Sequence, residues 1–209
     1  MELLAATGEL IEEHSKDIPE LVWSTGPISY EYHFGDRMLF DAVVLESWKK
    51  PGTLFAADAT TLAFHNNELA GIVIAMPGPE FRSRGAALGS SWKAIVTEGS
   101  YTMKDVEGVL KRSDCASWMN PVIHADTYYV HAIAVKPEFR GKRVGYLLIE
   151  HAINTGREGG YKKFQLDVLS DNPAVEFYRA VGLEVLAETR TPEPCAFGIP
   201  PELRMGMKL

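Results

Sequence analysis

His131-Ala132-Ile133-Ala134-Val135-Lys136-Pro137-Glu138-Phe139-Arg140-Gly141-Lys142-Arg143-Val144-Gly145 is the stretch on which the reading of this chain turns. The apolar run Tyr128–Val135, which enters it, has the β-branched and aromatic content of a buried strand. Pro137 ends that run. Arg143–Glu158, which leaves it, places Val144, Leu147, Leu148, Ala152 and Ile153 at helical spacing. A basic, glycine-containing turn therefore joins a strand to a helix N-terminus. The first helical turn leaves backbone N–H groups unpaired and carries the positive end of the dipole. Such an end takes a phosphate or pyrophosphate. Gly141 and Gly145 have no Cβ and allow close approach, and Arg140, Lys142 and Arg143 add positive charge. An ordinary exposed loop has the same composition, so this stretch alone leaves both readings open.

Working outward, Gly159-Gly160 close the helix, Phe164–Leu169 reads as a strand, and Pro173–Val181 as a short helix ended by Gly182. Leu183–Thr189 and Glu202–Leu209 read as late strands. Upstream, Thr53–His65 and Leu69–Met76 form a hairpin about Asn66-Asn67-Glu68. Between Pro77 and Asp126 lies a helical insertion, with candidate helices at Arg84–Thr97 and Thr102–Trp118. At the start, Glu9–Ser15 and Ile18–Ser24 read as short helices, the second with Asp17 as its cap and Pro19 in its first turn. Ile28, Tyr30, Tyr32 and Phe34 alternate with polar residues and predict an extended segment. Asp36 then caps a helix reaching Trp48. One strand–helix–strand unit in a hairpin-rich chain predicts an α/β fold with a mixed sheet.

Composition sets the outer bounds. The chain has 209 residues, 46% of them hydrophobic, enough for one domain with a full core. Its net charge of −7 and pI near 5.4 argue against nucleic acid and anionic membrane as main partners. No apolar run approaches the roughly 20 residues of a membrane helix. Met1-Glu2-Leu3-Leu4 lacks the basic start of a signal peptide, so a cytoplasmic location is expected, with Cys115 and Cys195 as reduced thiols. The metal spacings CxxC, HxxxH and HExxH do not occur, and no metal is expected. GxxxxGK[ST] and GxGxxG are absent too, which disfavours a P-loop or dinucleotide enzyme.

Asn172-Pro173-Ala174, Phe177-Tyr178 and Gly182-Leu183 add a second set of marks downstream. Together with Val135-Lys136-Pro137-Glu138-Phe139-Arg140 and the turn that follows, they resemble the GNAT superfamily of acyl-CoA N-acyltransferases. The resemblance covers Tyr128–Glu188. The family's pyrophosphate signature is Arg or Gln, two residues, Gly, one residue, then Gly or Ala. Here it runs Arg140-Gly141-Lys142-Arg143-Val144-Gly145, with Arg143 where the signature has its first glycine.

The resemblance implies a GNAT-like fold: a mixed, mostly antiparallel sheet splayed at the CoA cleft and flanked by helices, here with a helical insertion at 77–126. It implies a single domain over residues 1–209 and acetyl-CoA as co-substrate. Ile133, Ala134 and Val135 would meet the pantetheine arm or the thioester carbonyl through their backbone, and Arg140, Gly141, Lys142, Arg143, Val144 and Gly145 would cradle the pyrophosphate. Asn172 would contact the pantetheine arm or fix its loop. Tyr178 matches the tyrosine that protonates the leaving thiolate in many members, and His131 is the candidate base, with Glu31 and His33 as weaker alternatives. The implied reaction is direct attack by a primary amine of a small molecule. Transfer to a protein N-terminus or lysine, and a non-catalytic acyl-CoA-binding module, are the alternatives. The aromatic residues Tyr30, Tyr32, Phe34, Trp92, Trp118, Tyr128 and Tyr129 sit on segments able to line a pocket for a cationic amine. No nucleic acid or membrane partner is expected, and a homodimer is left open.

Overall fold

The computed structural model describes residues 1–117, 119 and 122–209. The chain begins with strand β1 (Glu2–Ala5), then helices α1 (Glu9–Glu13), α2 (Ile18–Trp23), α3 (Pro27–Phe34) and α4 (Arg37–Trp48). A short 3-10 turn leads into the hairpin of β2 (Thr60–His65) and β3 (Glu68–Pro77). Helices α5 (Glu80–Ala87), α6 (Gly89–Thr97) and α7 (Met103–Ala116) separate β3 from β4 (Thr127–Val135). Helix α8 (Val144–Glu158) connects β4 to β5 (Lys163–Leu169). Helix α9 (Ala174–Ala180), β6 (Glu184–Thr189), α10 (Pro192–Phe197) and β7 (Glu202–Lys208) complete it.

The strands form one seven-stranded sheet in the order β1-β2-β3-β4-β5-β7-β6. Every neighbouring pair is antiparallel except β4 and β5, which run parallel because α8 carries the chain back between them. The sheet is the mixed, mostly antiparallel one expected. Asn66 and Asn67 turn the β2–β3 hairpin with φ of 52° and 65°, the left-handed pair that a two-residue turn requires. Each face buries its own core. On one side Leu62, Ile72, Ile74 and Met76 pack with Val43, Trp48, Ile95 and Val109 of the helices. On the other, Val73, Val130, Phe164 and Leu166 pack with Val144, Leu148, Ile149 and Ala152 of α8.

Several local expectations fail, each for a tertiary reason. Residues 27–34 form a helix, not an extended segment. Pro27 at its first position and Gly35 at φ 69° after its end punctuate it as a helix. The apparent alternation arises because α3 is buried on two sides. Tyr30 and Phe34, one turn apart, meet Phe40, whereas Ile28 and Tyr32 join a separate cluster with Ile199. Asp17 does hold the N-cap position of α2, with Pro19 in the first turn and Leu21 N–H donating to its carbonyl, but its side chain makes no capping bond and its carboxylate binds Lys136 Nζ at 2.7 Å instead. The helix expected over Arg84–Thr97 starts earlier and breaks at Leu88 into α5 and α6. Thr53–Ala59 does not join β2, because Thr53 turns inward to bond the Ser47 hydroxyl and carbonyl. Asp36 does cap α4, accepting from Met38 N–H at 2.8 Å. β1 and α10 had no signal of their own. The end of the helix expected at Trp118, and Trp118 as a pocket residue, lie outside the described residues.

Candidate active site

The site is built where two parallel strands part. β4 and β5 pair only from Thr127 opposite Lys163 to Val130 opposite Leu166. At the next residue β4 bulges: its register against β3 moves from Val130–Ala75 to Ala132–Ile74 and leaves His131 without a partner. Bulges bend a strand and re-aim a side chain. Both effects occur here. β4 continues to Val135 and β5 to Leu169 as the two arms of a cleft of about 780 Å³. His131 is placed at its apex, on the face of the α3–α5 helices, with its ring 5.4 Å from Phe55 and 5.6 Å from Phe81.

The β4 edge that β5 has left carries free backbone groups. Lys136 N–H donates to Ala70 O on the β3 side at 2.9 Å. By strand alternation Ala134 also serves β3, while Ile133 and Val135 turn their N–H and C=O groups into the cleft. Of the three consecutive positions expected to serve there, Ala134 is thus committed to the ladder by its backbone. Gly71 makes this close pairing possible, since a Cβ there would clash with Ala134 O.

A second cavity, about 430 Å³, continues the cleft toward the N-terminus of α8. Arg140, Gly141, Arg143, Val144 and Gly145 line it, with Tyr178 and Phe177 opposite. Gly141 has φ 77° and Arg143 φ 64°. The arginine therefore holds the left-handed backbone that glycine adopts at least cost, and the substitution leaves the turn's shape in place. Gly145 is under no such demand; a Cβ there would rest 3.6 Å from Val135 Cγ2. Among the described residues, the N–H groups of Val144, Gly145 and Tyr146 have no acceptor, and Arg140, Lys142 and Arg143 are exposed and outside any ion pair. This end of the site has unpaired donors, positive charge and room, which is what a pyrophosphate requires.

Tyr178 belongs to both the cleft and this second cavity. It is buried, and burial pushes its phenol well above the ordinary value. Among the described residues its hydroxyl has no hydrogen-bond partner. Asn172 lines the cleft, and its Oδ1 accepts from Ala174 N–H at 2.9 Å, fixing the entry to α9.

A third cavity, about 150 Å³, lies on the other side of His131 and shares Thr25, Gly26, His131 and Asp167 with the cleft. Burial lowers the His131 pKa to about 4, so the ring is neutral. Its Nε2 is buried with no partner among the described residues. His33 lines the same chamber; its Nδ1 lies 2.7 Å from Ser29 O, and burial lowers its pKa. Glu31 lies on the exposed face of α3 and lines none of these cavities, which removes it as an alternative base. Of the aromatic candidates, Tyr30 and Tyr129 reach the chamber. Tyr32 packs on Phe197, Trp92 on Phe34, and Tyr128 on Tyr161.

Sequence reading missed the chamber's polar floor. Asp167 is the first β5 residue beyond the split. Both of its oxygens bond the Arg204 guanidinium, and Tyr129 OH donates to Oδ2 at 2.9 Å. Arg204 and Asp167 are almost wholly buried. The available signal was an arginine inside the apolar strand Leu203-Arg204-Met205. Such a residue is buried only when paired.

The geometry agrees with the relationships found by comparison. The model of the acetyltransferase (GNAT) family matches residues 16–183. This chain belongs to the GNAT family. An uncharacterized N-acetyltransferase of Methanocaldococcus jannaschii is 35% identical over 72 residues, which is 34% of this chain and 31% of that protein. The match thus spans about a third of that relative's length. An N-acetyltransferase from Staphylococcus aureus Mu50 superposes with a TM-score of 0.72 at 15% identity, over 99% of this chain and 100% of that one. A Bacillus subtilis acetyltransferase solved in complex with CoA superposes with a TM-score of 0.55 at 12% identity, over 100% and 97% of the two chains. At these identities the likeness is one of fold. Among the described residues no cluster able to hold a metal occurs, and no helix is long and apolar enough to cross a membrane.

Proposed function

We propose that this GNAT-family chain transfers the acetyl group of acetyl-CoA to a primary amine of a small molecule, by direct attack in a ternary complex. One observation carries the reading. Three adjoining spaces that share lining residues run from unpaired helix N–H groups, past Tyr178, to a polar chamber behind His131. The first suits a pyrophosphate, the second an extended amide-bearing arm, and the third an acceptor.

The roles follow from the groups present. Ile133 and Val135 bond the arm's amides as a neighbouring strand would, and the Ile133 N–H faces the region where the thioester carbonyl becomes an oxyanion. The amine first loses one proton, since an ammonium ion with pKa near 10 has no lone pair. His131 accepts that hydrogen bond and passes the proton to water; its low pKa means it relays the proton and does not store it. Nitrogen then bonds the acetyl carbon, and the carbon–sulfur bond breaks. Tyr178, held protonated by burial, gives its proton to the thiolate, and the second N–H proton leaves nitrogen through solvent and restores the Tyr178 phenol. The products are an N-acetyl amide and CoA thiol.

Release of CoA thiol from acetyl-CoA, followed against a panel of amines, tests this. Tyr178→Phe should lower kcat by roughly tenfold or more with acetyl-CoA affinity little changed. An unchanged kcat would remove Tyr178 from the mechanism.

A further inference from the structure

We propose that the chamber behind His131 admits only compact cationic amines and that Phe81, from α5, sets its size limit; this rests on the acetyltransferase reading above. The chamber holds about 150 Å³. That is about five times the volume a water molecule occupies in the liquid, and below the range of roughly 300–1,000 Å³ usual for small-molecule pockets. It fits an amine of few heavy atoms. Ala116 and Met119, at the end of the inserted helices, also line it.

Its chemistry selects charge as well as size. Tyr30, Phe81 and Tyr129 present aromatic surface, and the carboxylate of Asp167 in the same wall is already paired with Arg204. Three aromatic faces around one chamber favour a cation. His131, whose buried Nε2 has no partner among the described residues, lines both the chamber and the cleft, and buried polar atoms are normally bonded. Phe81 is placed to control the volume. Its ring is edge-on to Tyr129 at 5.1 Å and 5.6 Å from His131. It reaches the chamber from α5, outside the sheet, so its truncation removes wall while the β4–β5 pairing and Tyr178 are held by contacts of their own.

The test measures kcat/KM with acetyl-CoA for propylamine, hexylamine and a tripeptide, in the wild type and in Phe81→Ala, Phe81→Leu and Phe81→Trp. The wild type should prefer propylamine. Phe81→Ala should raise the hexylamine-to-propylamine ratio by roughly tenfold, the scale on which a hydrophobic pocket discriminates chain length. Phe81→Leu should raise it less and Phe81→Trp should lower it, with the KM for acetyl-CoA constant. Loss of folding would move all three variants in one direction, so opposite shifts for Ala and Trp identify a wall residue. A ratio that none of the variants changes, or a tripeptide used as well as propylamine by the wild type, overturns the inference and leaves the acetyltransferase reading standing. No CoA release with any of the three acceptors overturns that reading and this inference with it.

Discussion

His131 is a titratable group whose burial disfavours the charged ring. Its folded pKa of about 4 lies below the ordinary 6.5. The unfolded chain therefore binds the proton more readily between those values. The stability this contributes is full above about pH 6.5 and is lost as pH falls toward 4, by at most about 3 kcal/mol. Urea unfolding of wild type and His131→Gln at neutral and mildly acidic pH should show a smaller acid loss in the variant. An equal loss would place the acid sensitivity elsewhere. Arg143 makes the opposite compromise, keeping a charge at the cost of a left-handed backbone. Arg143→Gly should stabilise the fold by about 1 kcal/mol and weaken acetyl-CoA binding several-fold. Thermal melting and acetyl-CoA titration check the two halves separately. At this scale Tyr178, Asn172 and the Arg140–Gly145 turn were legible in the chain as local motifs, and the structure sets Tyr178, Asn172 and Arg140 along one cleft. His131 was visible as a candidate, but its orientation was not. A strand's alternation is broken by a bulge, and the bulge depends on how β3 registers against β4.

Between elements, the decisive event is the separation of β4 from β5. The Arg204–Asp167–Tyr129 cluster sits beside that split and ties β7, β5 and β4 together. Breaking a buried ion pair strands a charge. Arg204→Met should therefore cost about 3–5 kcal/mol, whereas Arg204→Met with Asp167→Leu should recover most of it. Chemical denaturation of the single and double variants measures both. If the double variant is as unstable as the single one, the cluster's contribution is more than its charge balance. The element sequence from Tyr128 onward was legible because strand and helix periods alternate cleanly and glycine or proline marks each end. The region of α3 was not. Its aromatic residues face two different cores, and burial on both sides of a helix imitates the alternation of a strand.

Across the whole molecule, the net charge of −7 surrounds a local group of three exposed cations, Arg140, Lys142 and Arg143. Attraction of an anionic donor to exposed charges is screened by salt. The KM for acetyl-CoA should rise steadily between roughly 0.05 and 0.5 M NaCl, over which the Debye length falls from above 10 Å to below 5 Å. A KM insensitive to salt would mean that backbone N–H groups, not side-chain charge, provide the donor's grip. By itself the sequence determined the fold class and the strand–turn–helix whose first turn leaves N–H groups unpaired beside three cations. Each of these is a local pattern, set by period, glycine placement and helix-end chemistry. Only the tertiary structure decided the chamber behind His131. It draws on Thr25, Phe81, Met119, Asp167 and Glu202, far apart in the chain and with no shared motif. They meet because the insertion folds over the point where one bulge parts two strands, and no window of sequence contains that meeting.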